Sequence, residues 1–134
     1  MWGGVTILSA DKLPAMTAAF HDFNINHYQD PYGSVILGIA YIASNDSFLG
    51  TLELEYGKPV ADAPILANFT AIPTLETTNR ITNLSDLTIE LNNTQVSGLR
   101  ETWWTLMFHN DVQLMTDIQS IFMTDMPSIA NVTV

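Results

Sequence analysis

The stretch Leu99-Arg100-Glu101-Thr102-Trp103-Trp104-Thr105-Leu106-Met107-Phe108-His109 decides the reading of this chain. It is aromatic and Thr-rich and alternates strictly, which predicts a β-strand. The even positions Thr102, Trp104, Leu106 and Phe108 form the face expected beneath helices. The odd positions Glu101, Trp103, Thr105, Met107 and His109 combine acid, aromatic, hydroxyl, thioether and imidazole, a mixture suited to the lining of a pocket. From Val112 the period becomes helical, with Leu114, Met115, Ile118, Ile121 and Phe122 on one side. Asn110 or Asp111 is the expected N-cap and Pro127 the stop.

Outward from this strand and helix, the earlier chain supplies the other elements. Gly3–Leu8 reads as a strand. Ser9 or Asp11 then caps a helix with apolar positions Leu13, Met16, Phe20 and Phe23, and Pro14 falls in its first turn. Asp30-Pro31-Tyr32-Gly33 is a turn signal, after which Ser34–Ala43 and Phe48–Tyr56 form a hairpin around Ser44-Asn45-Asp46. Residues 57–73 form a connection without clear period, and Leu75–Thr82 is extended. Asn83 or Ser85 caps a short helix carrying Leu84, Leu87 and Leu91. The order is βαββαβ plus a C-terminal helix. It predicts one α+β domain over residues 1–134, with a ferredoxin-like antiparallel sheet and helices on one face.

Composition narrows the function classes. The chain has 134 residues, a net charge of −10 and four Lys and Arg, so it lacks the clustered cations that nucleic acid requires. It has no cysteine, which removes disulfides, thiolate metal sites and a cysteine nucleophile. His21, His27 and His109 make no ligand pattern, so no metal site is expected. No apolar run reaches the length of a membrane span. Met1 leads directly into a strand-like segment, which predicts a cytoplasmic chain without a leader. Glycosylation sequons at Asn45, Asn68, Asn83, Asn92 and Asn131 instead point to secreted ancestry, or only to an Asn- and Thr-rich composition.

If the odd residues of the late strand line a pocket, the hairpin supplies its floor. Gly38 and Ala40 are small enough to leave room for a flat apolar ligand, and Thr51 and Glu53 share the floor's polar side. Trp103, Thr105 and Met107 would then contact substrate, with Glu101 and His109 as catalytic proton donors or acceptors. The competing reading is structural: an open sheet face carries Thr and Glu because water touches it, and a His after a strand helps cap the next helix.

Several segments resemble one another family's middle region in order and spacing. They are Trp2-Gly3-Gly4, Asp30-Pro31-Tyr32, Glu55-Tyr56-Gly57-Lys58-Pro59, Asn79 through Leu87, and Leu99-Arg100-Glu101-Thr102. The family is that of the fungal FAD-linked oxidoreductases of the berberine-bridge-like, vanillyl-alcohol-oxidase type. The resemblance implies a substrate domain, an antiparallel sheet backed by helices whose open face covers the flavin. The family's flavin-binding domain has no counterpart here, and neither a cysteine for a covalent flavin link nor a Gly-rich phosphate loop is present. The expectation is therefore a chain without flavin, metal or nucleotide.

Two functions follow. One is a cofactor-independent enzyme of fungal natural-product biosynthesis, a Diels–Alderase-type cyclase or isomerase that folds an apolar polyene, terpenoid or polyketide into its reactive shape. The other is a non-catalytic binding module or partial copy of an FAD-linked oxidoreductase. The low charge and one bare sheet face also predict a homodimer.

Overall fold

A split βαβ unit frames the sheet. In the computed structural model, which describes residues 1–94, 98 and 104–129, β1 (Trp2–Ser9) leads into α1 (Leu13–Asn26). The hairpin β2 (Gly33–Ile42) and β3 (Ser47–Tyr56) follows. β3 inserts between β1 and β2, antiparallel to both. On the far side of β1 pair two short strands, β4 (Glu76–Thr77) and β5 (Arg80–Ile81). The result is a five-stranded antiparallel sheet in an α+β fold, as the sequence predicts. The remaining helices are α2 (Ala67–Thr70), α3 (Leu84–Thr94) and α4 (Val112–Ile129).

Alternation assigns the faces. Trp2, Thr6 and Leu8 of β1 and Leu52, Leu54 and Tyr56 of β3 are buried on one side. The register sets Leu37 opposite Leu52 and Val35 opposite Leu54, so the odd residues of β2 join them. Leu13, Met16, Ala19 and Phe23 of α1 and Phe69 of α2 complete this core. Gly50 is glycine because a Cβ there would run into the Met16 thioether and lie 3.3 Å from Leu13 Cδ2. α4 closes the layer beside α1. Its N-cap is Asp111, whose Oδ1 accepts from the Leu114 N–H at 2.8 Å. Asn83 caps α3 in the same way, accepting from the Asp86 N–H at 3.0 Å.

Three features differ from the sequence reading. α1, α2 and α4 share one face as expected, but α3 packs on the other, its buried Leu87 lying over Gly3 of β1. α4 runs through Pro127 to Ile129 instead of stopping at the proline. The third difference has the largest consequence. Residues 104–111 form no strand, and Trp104, Leu106 and Phe108, expected beneath helices, are exposed. The place beside β1 that a fourth strand requires is held by Glu76–Thr77 and Arg80–Ile81. The segment runs instead along the helix layer, where Asn110 Nδ2 donates to the His21 carbonyl at 3.1 Å. Strand propensity measures fit to a pleated, half-buried surface, and here the surface is already occupied.

Candidate functional site

Of the residues expected at a site, the structure brings four together. Gly38, Ala40, Thr51 and Glu53 share the open face of the hairpin, where Gly38 lies opposite Thr51 and Ile36 opposite Glu53. A Cβ on Gly38 would strike Thr51 Oγ1, which explains the glycine. Glu53 sits between Ile36 and Val5, its partners on the two neighbouring strands. Partial burial, and then the charge of Glu55, raise its carboxyl above the ordinary value. A carboxyl held toward its neutral form can donate a proton. Thr105, Met107 and His109 do not join this floor, since they are exposed in the irregular segment on the other side of the molecule. Glu101 and Trp103 lie outside the described residues.

At the α3 end of the open face, Glu90 accepts from the Thr78 hydroxyl and from Arg80 Nη1 at 2.5 Å. These bonds, with the Arg80 charge, hold its carboxyl below the usual range against the opposing effect of burial. Thr78 also accepts from the Val5 N–H at 2.9 Å, so this cluster serves to fasten α3 and the loop at Thr78 to β1.

The concavity best shaped for a small molecule lies on the opposite face. A groove of about 410 Å³ runs between α1, α4 and the outermost strand β2. Phe20 comes from α1, Leu37 and Ile39 from β2, Phe108 from the irregular segment, and Met115, Ile118, Gln119 and Phe122 from α4. Its volume is in the range of ligand pockets, and seven of these eight residues are apolar. The exception, Gln119, donates from Nε2 to the buried Thr17 Oγ1 at 2.5 Å. Its amide oxygen remains as a candidate acceptor for a ligand's hydroxyl. Phe122 is fixed by an edge-on contact with Phe48, with centroids 6.1 Å apart.

Of the groove residues, Phe20, Met115, Ile118 and Phe122 were legible as helix core but not as a site. The clue was Gln119, an amide within the apolar stripe of Met115, Ile118 and Phe122. A second cavity, of about 430 Å³, lies where Thr6, Thr77 and Asn79 meet the chain around residues 61–74. It is more polar, and Asn79 Oδ1 is buried there without a hydrogen-bond partner among the described residues. Among the described residues no cluster of His, Cys, Asp or Glu is arranged to hold a metal ion. Among them, too, no helix is long and apolar enough to cross a membrane.

Comparison with known proteins adds chemistry to this geometry. The chain is 29% identical over 133 residues to the FAD-dependent monooxygenase FUP4 of Fusarium proliferatum. It is similar to fungal flavin enzymes. A second relative is the FAD-dependent monooxygenase tpcD of Cochliobolus heterostrophus, 28% identical over 130 residues. The alignments cover 93% and 91% of this chain but 25% of each relative, so the chain spans about a quarter of their length. No family model matches the chain, and no solved structure does.

The described residues do not fit the phosphates of a flavin dinucleotide. Lys12 is paired with Asp11 at 2.6 Å and Arg80 with Glu90 at 2.5 Å, while Lys58 lies 3.7 Å from the centroid of the Tyr32 ring. The N-termini of α3 and α4 hold Asp86 and Asp111, and the open sheet face presents Glu53 and Glu55. Such an arrangement repels an anion.

Proposed function

We propose that this chain is the substrate-side portion of a fungal flavin-dependent enzyme, and that it binds an apolar, oxygenated small molecule. The observation that carries the reading is the groove between α1, α4 and β2, apolar except for the Gln119 amide. The similarity to two FAD-dependent monooxygenases supports the enzyme class. In this reading the chain contributes shape and desolvation, and the phosphates of the cofactor are held elsewhere in a complete enzyme. Phe20, Phe108 and Phe122 would bound a flat ligand, and Gln119 would orient one hydroxyl or carbonyl.

Titration of the purified chain with flat aromatic and polyene compounds bearing one hydroxyl or carbonyl, followed by NMR of the methionine methyls and glutamine side chains, tests this. Binding should shift Met115 and Gln119 and should be abolished by Ile118→Asp, whereas FAD alone should cause no shift. Failure of every compound to bind, or binding that leaves Met115 and Gln119 unshifted, would overturn it.

A narrower alternative is a cofactor-independent cyclase working on the open sheet face. Its support is Glu53, a carboxyl raised by burial on the same face of the hairpin as the small residues Gly38 and Ala40. Turnover of a linear polyene that is lost in Glu53→Gln would select this reading over the first.

A further inference from the structure

Among the described residues β2 is the outermost strand of the sheet, and none of them pairs with its outer edge. The Gly57 N–H donates to the Tyr32 carbonyl at 2.9 Å, which extends the β2–β3 ladder by one pair. In an antiparallel ladder, residues that exchange hydrogen bonds alternate with residues that do not. Counting from Tyr32, the even residues of β2 bond to β3. The N–H and C=O groups of Val35, Leu37, Ile39 and Tyr41 therefore point outward. No backbone bond from the described residues reaches them.

Proteins blunt such edges with lysine, proline, bulges or brevity. β2 has none of these: Gly-Ser-Val-Ile-Leu-Gly-Ile-Ala-Tyr-Ile is ten residues long and carries no charge and no proline. The opposite edge of the sheet is held by strands of only two residues.

We infer that β2 pairs antiparallel with β2 of a second copy of this chain, about a two-fold axis at Gly38. This register uses the outward groups of all four residues, setting Val35 against Tyr41 and Leu37 against Ile39 in both directions. It also sets Gly38 against Gly38 in a non-bonded pair, where the backbones approach most closely and the absence of a Cβ is an advantage. Ile36 then faces Ala40 across the axis and Ser34 faces Ile42, so no like charges meet in a chain whose net charge is −10.

Opposed residues share a face, so the two sheets become one and the two grooves fall on the same side of it, flanking the axis. Each groove lies over β2, with the half-exposed Phe108 and Ile118 at its rim, and a second copy would extend its floor. This inference is independent of the function proposed for the groove.

Sedimentation velocity and amide hydrogen exchange on the intact chain provide the test. The expected result is a dimer at micromolar concentration, with the Val35, Leu37, Ile39 and Tyr41 amides protected and losing that protection on dilution. The double variant Ile36→Lys, Ala40→Lys sets lysines opposite one another across the axis and should weaken association by about tenfold or more. Ile39→Pro removes an outward N–H without touching a bond to β3, and should do the same if the lysine variant fails to fold. A monomer at tens of micromolar would overturn the inference. So would a dimer in which these four amides exchange freely and which persists in both variants.

Discussion

Gln119 on α4 donates from Nε2 to Thr17 Oγ1 on α1, while the Thr17 hydroxyl donates to the Leu13 carbonyl at 3.0 Å. The buried threonine thus passes a hydrogen bond from one helix into the backbone of the other, at the floor of an otherwise apolar groove. Gln119→Met removes the inter-helix bond but leaves Thr17 satisfied by Leu13, so its cost should be about 1 kcal/mol. Thr17→Val should cost a similar amount. Because both variants break the same bond, the double variant should cost less than the sum. Urea unfolding of the two single variants and the double variant reads the coupling directly, and strict additivity would show that the bond contributes nothing.

Trp104 and Phe69 make an opposed pair. Trp104 is 89% exposed, whereas Phe69 is only 1% exposed and meets Phe23 edge-on at 6.0 Å. Trp104→Ala should leave stability within about 0.5 kcal/mol of the parent. Phe69→Ala should cost about 3–5 kcal/mol. Thermal and denaturant unfolding of both variants checks this, and a large loss at Trp104 would mean that residues 104–111 pack as a strand after all.

The contrast at Trp104 shows where the sequence was readable and where it was not. In the βαββ half, local pattern and tertiary requirement agree. The alternation of Leu52, Leu54 and Tyr56 and the spacing of Leu13, Met16 and Phe23 both select the faces that become buried. The floor residues Gly38, Ala40, Thr51 and Glu53 follow from that parity and share one face. From Thr102 to Phe108 the pattern is as clean, yet the position it calls for beside β1 is taken by two-residue strands with almost no signal of their own. Pairing of strands distant in sequence is a competition for one edge, and periodicity within a segment carries no information about the competitor. The groove was missed for a related reason: Phe20, Leu37 and Ile118 are unremarkable core residues one at a time. They line a groove because α4 docks against α1 and over β2.

Gly50 tests how tightly that layer is packed. An added methyl would meet Met16 Sδ and lie 3.0 Å from Met16 Cε and 3.3 Å from Leu13 Cδ2. Met16 is flexible but wholly buried, so it can yield only by displacing its neighbours. Gly50→Ala should cost about 1–3 kcal/mol, despite the better strand propensity of alanine. The double variant Gly50→Ala, Met16→Ala should recover part of what the two single changes cost together, as measured by urea unfolding. No recovery would mean that the strain lies in the backbone of β3 and not against Met16.

Glu53 carries a pH dependence of definite sign. Its carboxyl is raised in the folded chain, first by burial and then by the Glu55 charge, so between its unfolded and folded values the native state binds the proton more tightly than the unfolded state does. The contribution of Glu53 to stability is therefore greatest at low pH and declines as pH rises through its folded value. Glu90 runs the other way. Its carboxyl is lowered by the Thr78 and Arg80 hydrogen bonds, and its contribution is present above the ordinary carboxylate range and lost as pH falls through the depressed value. Glu53→Gln should accordingly raise stability at pH 7 and do little near pH 3. The gain should stay below about 1 kcal/mol, because water still screens a partly exposed carboxylate. The measurement is urea unfolding of parent and variant across pH 3 to 8. A variant less stable than the parent at pH 7 would show that the ionised Glu53 carboxylate is held by a favourable partner on the open face, and not by the desolvation and repulsion argued above.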